Sequence, residues 1–219
     1  MDPISIVIFI VILLFSVIFH EVAHGLVADK LGDPTARFSG RLTLNPIPHI
    51  DPLWSIILPA MMLFFGSPIL FGAAKPVPVN FLNFRNVRRD MALVAIAGPL
   101  TNIALAIVAA LVYNFSPGLS EIGRELLVET AGLNIILAIF NMIPVPPLDG
   151  SKVLASLLGF LDREFMYRYL DLERFGFIFV ILLLLTGILD RILIGPYLGL
   201  INVLFGGLPP ELFTRWFNL

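Results

Sequence analysis

The sequence predicts an all-α polytopic membrane protein with about five or six transmembrane or re-entrant segments and short β-strand or hairpin elements near its functional site. Of its 219 residues, 58% are hydrophobic and only 14% are charged, and the mean hydropathy is +0.95, which is not the composition of a soluble domain. Several charge-free stretches approach the ~20 helical residues that cross a ~30 Å hydrocarbon core. These stretches are 4–19, 52–74, 91–120, 130–148, 175–189 and 192–210.

The first apolar stretch predicts a helix from about residue 4 to residue 31, ending at Gly32, Asp33 and Pro34. It lacks both a basic leader and a small-residue cleavage pattern, so we expect it to be retained rather than removed as a signal peptide. Its second half contains two of the three histidines of the chain, His20 and His24. This helix is therefore the first place to look for chemistry.

The pattern His20-Glu21-x-x-His24 predicts a metal site on this helix. Residues four apart share a helix face, so both imidazoles can bind one ion. Glu21 is then placed to hold a water in the open position of the metal. The same pattern occurs by chance as a surface pair, but polar groups in a membrane-length apolar segment are costly and usually functional. Because the chain has no cysteine, any further ligand must be His, Asp or Glu.

Two segments have the character of extended chain. In 35–44, apolar and polar residues alternate around a break at Gly40, which predicts a short strand or hairpin. The segment 75–81 contains two prolines, which allow only an edge strand. Paired strands beside the metal site could accept an extended peptide by strand addition. Two ordinary loops are the alternative interpretation.

The rest of the chain predicts further helices in a single domain, 1–219, with a catalytic core at about 4–150. A helix over 91–115 is rich in small residues, which let helix backbones approach closely in a bilayer. The proline-rich break at 144–150 cannot continue a regular helix. The other expectations are a helix from 121 to about 143 with a polar start, an interfacial helix at 151–174, a span at 175–189, and a segment at 197–205 that is either a final span or a surface segment.

A catalytic zinc site usually has three protein ligands, and the third could be His49 or Asp149. If every apolar stretch crosses the membrane once, Asp149 lies on the wrong face to reach the histidines. If 52–74 is re-entrant, which is allowed where protein or water covers the backbone, both ends share one face. The loops on that face then carry nearly all the basic residues, as the positive-inside rule favours: Lys30, Arg37, Arg41, Lys75, Arg85, Arg88, Arg89, Lys152, Arg163, Arg168 and Arg174.

This re-entrant arrangement predicts an external N-terminus and a metal site near the cytoplasmic face. The opposite connection, around 116–129, carries only Arg124. Two imidazoles and one carboxylate favour zinc over other divalent ions. We expect an integral membrane protein in contact with the lipid bilayer, and no nucleic-acid partner, since the net charge is −2.

Three motifs together resemble the site-2 protease family of intramembrane zinc metalloproteases (peptidase family M50), in the short form that lacks a PDZ domain. They are His20-Glu21-x-x-His24, Gly98-Pro99-x-x-Asn102 and Asn141-x-x-Pro144-x-Pro146-x-Leu148-Asp149-Gly150. The resemblance implies zinc ligands and a general base for hydrolysing peptide bonds of single-span membrane proteins. Because the family has short bacterial and archaeal members, the resemblance further implies a prokaryotic plasma membrane. The implied ligands are His20, His24 and Asp149, the implied base is Glu21, and the residues implied to stabilise or position the scissile peptide are Asn141 and Asn102.

Two further polar residues are predicted to have supporting roles. Asn134, one heptad before Asn141 on the same helix face, is predicted to be structural. His49 is predicted to act in a loop or behind the metal ligands rather than as a ligand. The rival function from a different class is a metal-ion transporter or a non-catalytic metal-binding membrane scaffold that uses the same three ligands.

Overall fold

The computed structural model describes residues 3–57, 61, 64 and 74–207. Helices dominate this part of the chain, and it contains no strand, so the all-α class is confirmed for the described residues. The α-helices are α1 (Pro3–Lys30), α2 (Thr35–Phe38), α3 (Val87–Phe115), α4 (Glu121–Asn141), α5 (Asp149–Leu161), α6 (Arg163–Leu170), α7 (Gly176–Leu185) and α8 (Ile188–Phe205). Shorter helical turns are found at Ile47–His49, Pro52–Ile57, Phe81–Asn83 and Asp171–Phe175.

Three of the described helices are long and apolar enough to cross a membrane: Ile6–Lys30, Val87–Phe115 and Ile188–Phe205. The predicted count of five or six segments is not confirmed. Helix α7 has only 10 residues, about 15 Å of helix, which falls short of a ~30 Å core. The stretch 197–205, which the sequence left ambiguous, lies in the third of these helices. Most of the predicted re-entrant segment 52–74 lies outside the described residues.

Helix α3 is the centre of the molecule, since it packs against α1, α4, α5 and α8. Its C-terminal half meets α4 through small buried side chains, Ala106, Ala109 and Ala110 on α3 and Ala131 on α4. Side chains of this size let two helix backbones approach closely, as the sequence predicted. The aromatic ring of Tyr197 on α8 packs in the same buried cluster.

The predicted hairpin at 35–44 does not form. Thr35–Phe38 make one turn of α-helix, beginning where the carboxylate of Asp33 accepts the backbone N–H of Thr35 at 3.2 Å. A left-handed Gly40 (φ 65°) then reverses the chain. The alternation does not mark an inner and an outer face, because Phe38 is 83% exposed whereas Arg41 is only 5% exposed. Alternation of apolar and polar residues over so short a segment therefore did not predict its structure.

The second extended candidate, 75–81, also lacks a strand partner in the described structure. Residues 74–80 have no regular secondary structure and are held mainly by their backbone groups. The guanidinium of the buried Arg41 donates to the carbonyl oxygens of Lys75 and Pro76. The backbone N–H of Lys75 donates to the carbonyl of His49 at 2.9 Å. These contacts fix residues 74–80 against the loop that follows α2.

Asp33 joins the same two loops at the end of α1. Its fully buried carboxylate accepts hydrogen bonds from the Thr35 hydroxyl (2.5 Å), the Asn80 backbone N–H (2.6 Å) and the Asn83 side-chain amide (2.7 Å). Burial by itself raises the pKa of Asp33, but these hydrogen bonds outweigh it and hold the pKa below its ordinary value. The ionised carboxylate is therefore part of the folded loop structure.

Candidate metal centre

Three side chains converge on one point between α1 and the start of α5. The Nε2 atoms of His20 and His24 lie 3.0 Å apart, and one carboxylate oxygen of Asp149 lies 3.1 Å from the first and 3.2 Å from the second. The two rings stand nearly perpendicular, at 84°. All three side chains are largely buried, with exposures of 6% for His20, 8% for His24 and 13% for the Asp149 side chain. The structure thus brings together residues separated by more than a hundred positions.

The hydrogen bonds behind the rings determine where their protons lie. The Nδ1 atom of His20 lies 2.5 Å from the side-chain oxygen of Asn102, and the Nδ1 atom of His24 lies 2.6 Å from the backbone carbonyl of Val94. Both partners are acceptors, so each Nδ1 carries the proton. In the neutral rings both Nε2 lone pairs then face each other and the carboxylate. No hydrogen bond can join three acceptors, so a positive charge must lie between them.

This donor set fits a zinc ion. Tetrahedral zinc with ligand bonds of ~2.0–2.1 Å separates its ligand atoms by roughly 3.3 Å, close to the 3.0–3.2 Å seen between these three. A protonated Nδ1 that donates to an oxygen is the usual support for a metal-binding histidine. In the described part of the chain, His20, His24 and Asp149 form one group able to hold a metal ion.

Gly98 of α3 forms one wall of the centre. A Cβ atom built on Gly98 would lie 2.6 Å from both Cε1 and Nε2 of His20, and it would also contact Nε2 of His24. The helix backbone therefore lies directly against the two rings, and only glycine leaves them room. The Gly-Pro pair of the second sequence motif marks this position, since Pro99 is the proline inside α3.

Asp149 reaches the histidines because α5 begins there. The next residue, Gly150, packs so closely on the end of α4 that a Cβ would contact the carbonyl oxygens of Met142 and Ile143. Farther along α5, Ser156 donates its hydroxyl to the carbonyl of Arg88 at 2.8 Å. The guanidinium of Arg88 in turn donates to the carbonyl of Gly159 at 2.7 Å. These bonds fasten α5 to α3 and so locate the carboxylate at its N-terminus.

Glu21 lies beside the centre, between its neighbour His20 and the loop 74–80. Its Oε2 atom accepts the backbone N–H of Val77 at 2.7 Å. The Val77 side chain is buried close to Gly25 of α1, where an added Cβ would lie 2.9 Å from it. The loop is thus in direct contact with the predicted general base, and this contact could not be predicted from residue type or spacing.

Asn102 has a different contact from the one its predicted role requires. We expected it to stabilise or position the scissile peptide. Its side chain is fully buried, and its oxygen is occupied by His20 while its amide donates to Asn134 and to the carbonyl of Ser16. In this structure the polar atoms of Asn102 face His20, Asn134 and Ser16, so its role at the scissile peptide stays a prediction.

Two other predicted residues, Asn141 and His49, lie outside the metal-binding group. Asn141, at the end of α4, donates to the carbonyl of Leu137 in its own helix at 3.0 Å and is partly exposed. His49 is not in the metal-binding group, and its Nε2 lies 2.9 Å from the carbonyl of Thr43. Two groups behind the rings were missed, namely the Val94 carbonyl and Ser16, whereas Asn134 was predicted to be structural and lies behind them. Only Asn134 offered a signal, as a polar residue within an apolar helix.

Comparison with known proteins agrees with this geometry. A family model described as peptidase family M50 matches residues 8–130 and 119–185. "Putative zinc metalloprotease YwhC" of Bacillus subtilis (strain 168) is 37% identical over 197 residues, which cover 84% of this chain and 83% of that protein. "Putative zinc metalloprotease Rip2" of Mycobacterium tuberculosis (strain H37Rv) is 31% identical over 194 residues, covering 88% of this chain and 70% of that protein.

A third similar protein is archaeal. "Putative zinc metalloprotease MJ0611" of Methanocaldococcus jannaschii is 35% identical over 159 residues, covering 68% of this chain and 72% of that protein. No solved structure matches the chain. The chain belongs to peptidase family M50, which confirms the resemblance drawn from its three motifs. With its long apolar helices, it is an integral membrane protein.

Proposed function

We propose that this protein is an intramembrane zinc metalloprotease that hydrolyses peptide bonds of membrane-spanning proteins. The observation that carries the proposal is the convergence of two imidazole lone pairs and one carboxylate on a single point inside an apolar helix bundle. His20, His24 and Asp149 are the proposed ligands. Three similar proteins, each named "Putative zinc metalloprotease", support zinc as the ion.

Zinc, when bound, supplies the Lewis acidity that activates a water molecule and polarises the scissile carbonyl. Glu21 acts as the general base: it takes a proton from the attacking water and delivers it to the leaving amine. The bond from the Val77 N–H uses only Oε2 of this carboxylate, which leaves Oε1 to accept the proton. That bond also fixes the direction in which the carboxylate points.

Asn141 is proposed to donate to the developing oxyanion of the substrate. Its bond to Leu137 uses one of its two amide hydrogens, and its side chain is partly exposed at the end of α4. Removal of one oxyanion donor typically lowers the rate by ~10²–10³. We expect a loss of this size in Asn141→Ala if the second hydrogen reaches the substrate.

The proposed substrates are single-span membrane proteins, cut near the cytoplasmic face of a prokaryotic plasma membrane. The metal centre lies in the second half of α1, towards the end with Lys30; near that end Arg37 pairs with Asp29 of α1, as the predicted basic face requires. A substrate helix conceals its peptide bonds and must unwind before attack. A centre near the membrane surface also gives the reaction its water.

A transporter is the less favoured function. Transport requires ligands along a path across the membrane, whereas the described part of the chain offers the one group. The test is to purify wild type, Glu21→Gln and Glu164→Gln, the last being an exposed glutamate of α6. We then measure bound zinc and the cleavage of a single-span peptide in detergent.

We expect all three proteins to bind about one zinc ion per chain. Cleavage by Glu21→Gln should fall by at least ~10²-fold, and Glu164→Gln should cut like wild type. If Glu21→Gln cleaves the peptide at the wild-type rate, the protease mechanism is refuted. Zinc binding with no cleavage by wild type, together with zinc flux in vesicles, would favour the transporter.

A further inference from the structure

A buried chain of polar side chains lies behind His20 and connects three helices. It consists of Asn102 on α3, Asn134 on α4 and Ser16 on α1, with exposures of 0%, 0% and 3%. Asn102 donates to the side-chain oxygen of Asn134 at 2.8 Å, and Asn134 donates to the Ser16 hydroxyl at 2.9 Å. Buried polar groups in a bundle of apolar helices are costly unless they are paired, so the arrangement of this chain needs a reason.

Backbone carbonyl groups, which can only accept hydrogen bonds, determine which way each amide in this series of hydrogen bonds is oriented. A side-chain amide has two orientations, related by a half-turn that exchanges its oxygen and its NH₂ group. The NH₂ group of Asn134 donates to the backbone carbonyl of Thr130 at 2.8 Å. In the opposite orientation, the amide oxygen would face that carbonyl oxygen. The Thr130 carbonyl therefore turns the oxygen of Asn134 towards Asn102.

The orientation of Asn102 follows from that of Asn134. With an oxygen in front of it, Asn102 presents its NH₂ group to Asn134 and its oxygen to His20. Within the described residues, this NH₂ group has one other acceptor, the Ser16 carbonyl, at a longer 3.3 Å. The oxygen of Asn102 then requires the proton of His20 on Nδ1, which leaves Nε2 with its lone pair. The opposite tautomer would place a proton where the metal binds.

We propose that Asn134 is a positioning residue for the metal centre. Because Asn134 donates to the Thr130 carbonyl, its oxygen faces Asn102; Asn102 then turns its own oxygen to His20, and this selects the tautomer of His20 with the proton on Nδ1. Asn134 contacts neither the metal position nor a substrate and acts only through this hydrogen-bond chain. The inference rests on the proposed function for its consequence, since the tautomer matters because Nε2 binds zinc. The tautomer itself is a property of the apo protein and can be measured without zinc or activity.

Two substitutions separate hydrogen-bond polarity from packing. Asn134→Leu keeps the size of the side chain and removes the acceptor. The NH₂ group of Asn102 then retains only its longer bond to Ser16, and its amide can rotate by a half-turn. Asn134→Asp, protonated in this buried position, offers a carbonyl oxygen to Asn102 and a hydroxyl to Thr130. It thus restores the polarity. Asn114→Leu is the control, because Asn114, an exposed residue of α3, likewise donates its side-chain amide to a backbone carbonyl, that of Leu204.

The first measurement is zinc affinity, by competition with a chromophoric chelator in detergent. Loss of a group that orients a metal ligand typically costs ~10–100-fold in affinity. We expect a loss of that size for Asn134→Leu, and near-wild-type affinity for Asn134→Asp and Asn114→Leu. The second measurement is the ¹⁵N spectrum of histidine-labelled apo protein, which distinguishes the two tautomers. We expect Nδ1–H at His20 in wild type and a new Nε2–H population in Asn134→Leu.

The outcomes separate this inference from the proposed function. An unchanged tautomer in Asn134→Leu would overturn the inference, and so would equal loss of zinc in Asn134→Leu and Asn134→Asp, which is what a packing role predicts. If the wild-type tautomer is Nδ1–H and responds to Asn134 but the protein binds no zinc, the inference stands and the proposed function fails. Asn134→Ala removes the same acceptor with less bulk and replaces Asn134→Leu if that variant does not fold.

Discussion

Replacing Gly98 with alanine tests whether the two histidine rings lie against the backbone of α3. The added Cβ would lie 2.6 Å from Nε2 of His20, whereas ordinary contacts of a Cβ atom begin at 3.4 Å. Nε2 of His24 would lie closer still, so the rings or the helix must move by at least about 0.8 Å. Metal–ligand distances tolerate changes of only about 0.2 Å, so the centre cannot keep its geometry. We expect zinc affinity to fall by at least ~100-fold, beyond the usual effect of removing a group that orients a ligand.

The same substitution should change the folding stability much less. Overpacking costs ~1–3 kcal/mol, but alanine is favoured over glycine inside a helix by ~1 kcal/mol, so the net loss is about 0–2 kcal/mol. The assay measures zinc affinity, cleavage rate and thermal unfolding of the apo protein. Gly199→Ala is the matched control, since Gly199 lies within α8 and an added Cβ meets nothing within 4 Å. Wild-type zinc affinity in Gly98→Ala would show that the rings do not lie where the structure has them.

Two further predictions concern the loops around the centre. The pKa of Asp33 is lowered in the folded protein, so its contribution to stability is complete above the unfolded pKa of ~3.9 and is lost as pH falls through the lowered folded pKa. Asp33→Asn should therefore lower the unfolding temperature at pH 7 and have a smaller effect at pH 2–3. Arg41→Ala removes the side chain that holds residues 74–80 and should speed amide hydrogen exchange at Val77; protection equal to wild type would show that Arg41 does not fix this loop.

The sequence predicted the three converging side chains because their chemistry is carried by residue type. Histidines four apart must share a face of any helix, and the carboxylate of Asp149 came from a motif. The groups behind the rings could not be predicted in the same way. The Val94 carbonyl that orients His24 is backbone, which every residue possesses. The partner of Asn102 depends on the relative rotation of α1, α3 and α4, which no single segment encodes.

The errors in the fold have a related cause. The alternation in 35–44 describes side chains but not the partner that a strand needs, and here the carboxylate of Asp33 and the left-handed Gly40 favoured a helical turn and a reversal. The predicted count of spans is not confirmed in the described residues, and one reason is that charge-free length is not helix length. The stretch 175–189 is broken at Gly187, which takes a left-handed conformation (φ 65°), so that α7 stops at Leu185.

The contacts of α3 explain why a metal centre can be assembled from distant parts of this chain. Helix α3 holds each of the three ligand side chains of the metal centre through a separate contact. His20 bonds to Asn102, His24 bonds to the Val94 carbonyl, and Asp149 is located by the bonds between α5 and α3. The helices that carry the ligands therefore need no precise contact with each other. Zinc requires its ligand atoms within a few tenths of an ångström, and one rigid helix that touches all three supports meets that requirement more simply than three mutually adjusted helices. A change that rotates α3 about its axis should consequently disturb all three ligands together, whereas a change in α1 or α5 should disturb only its own.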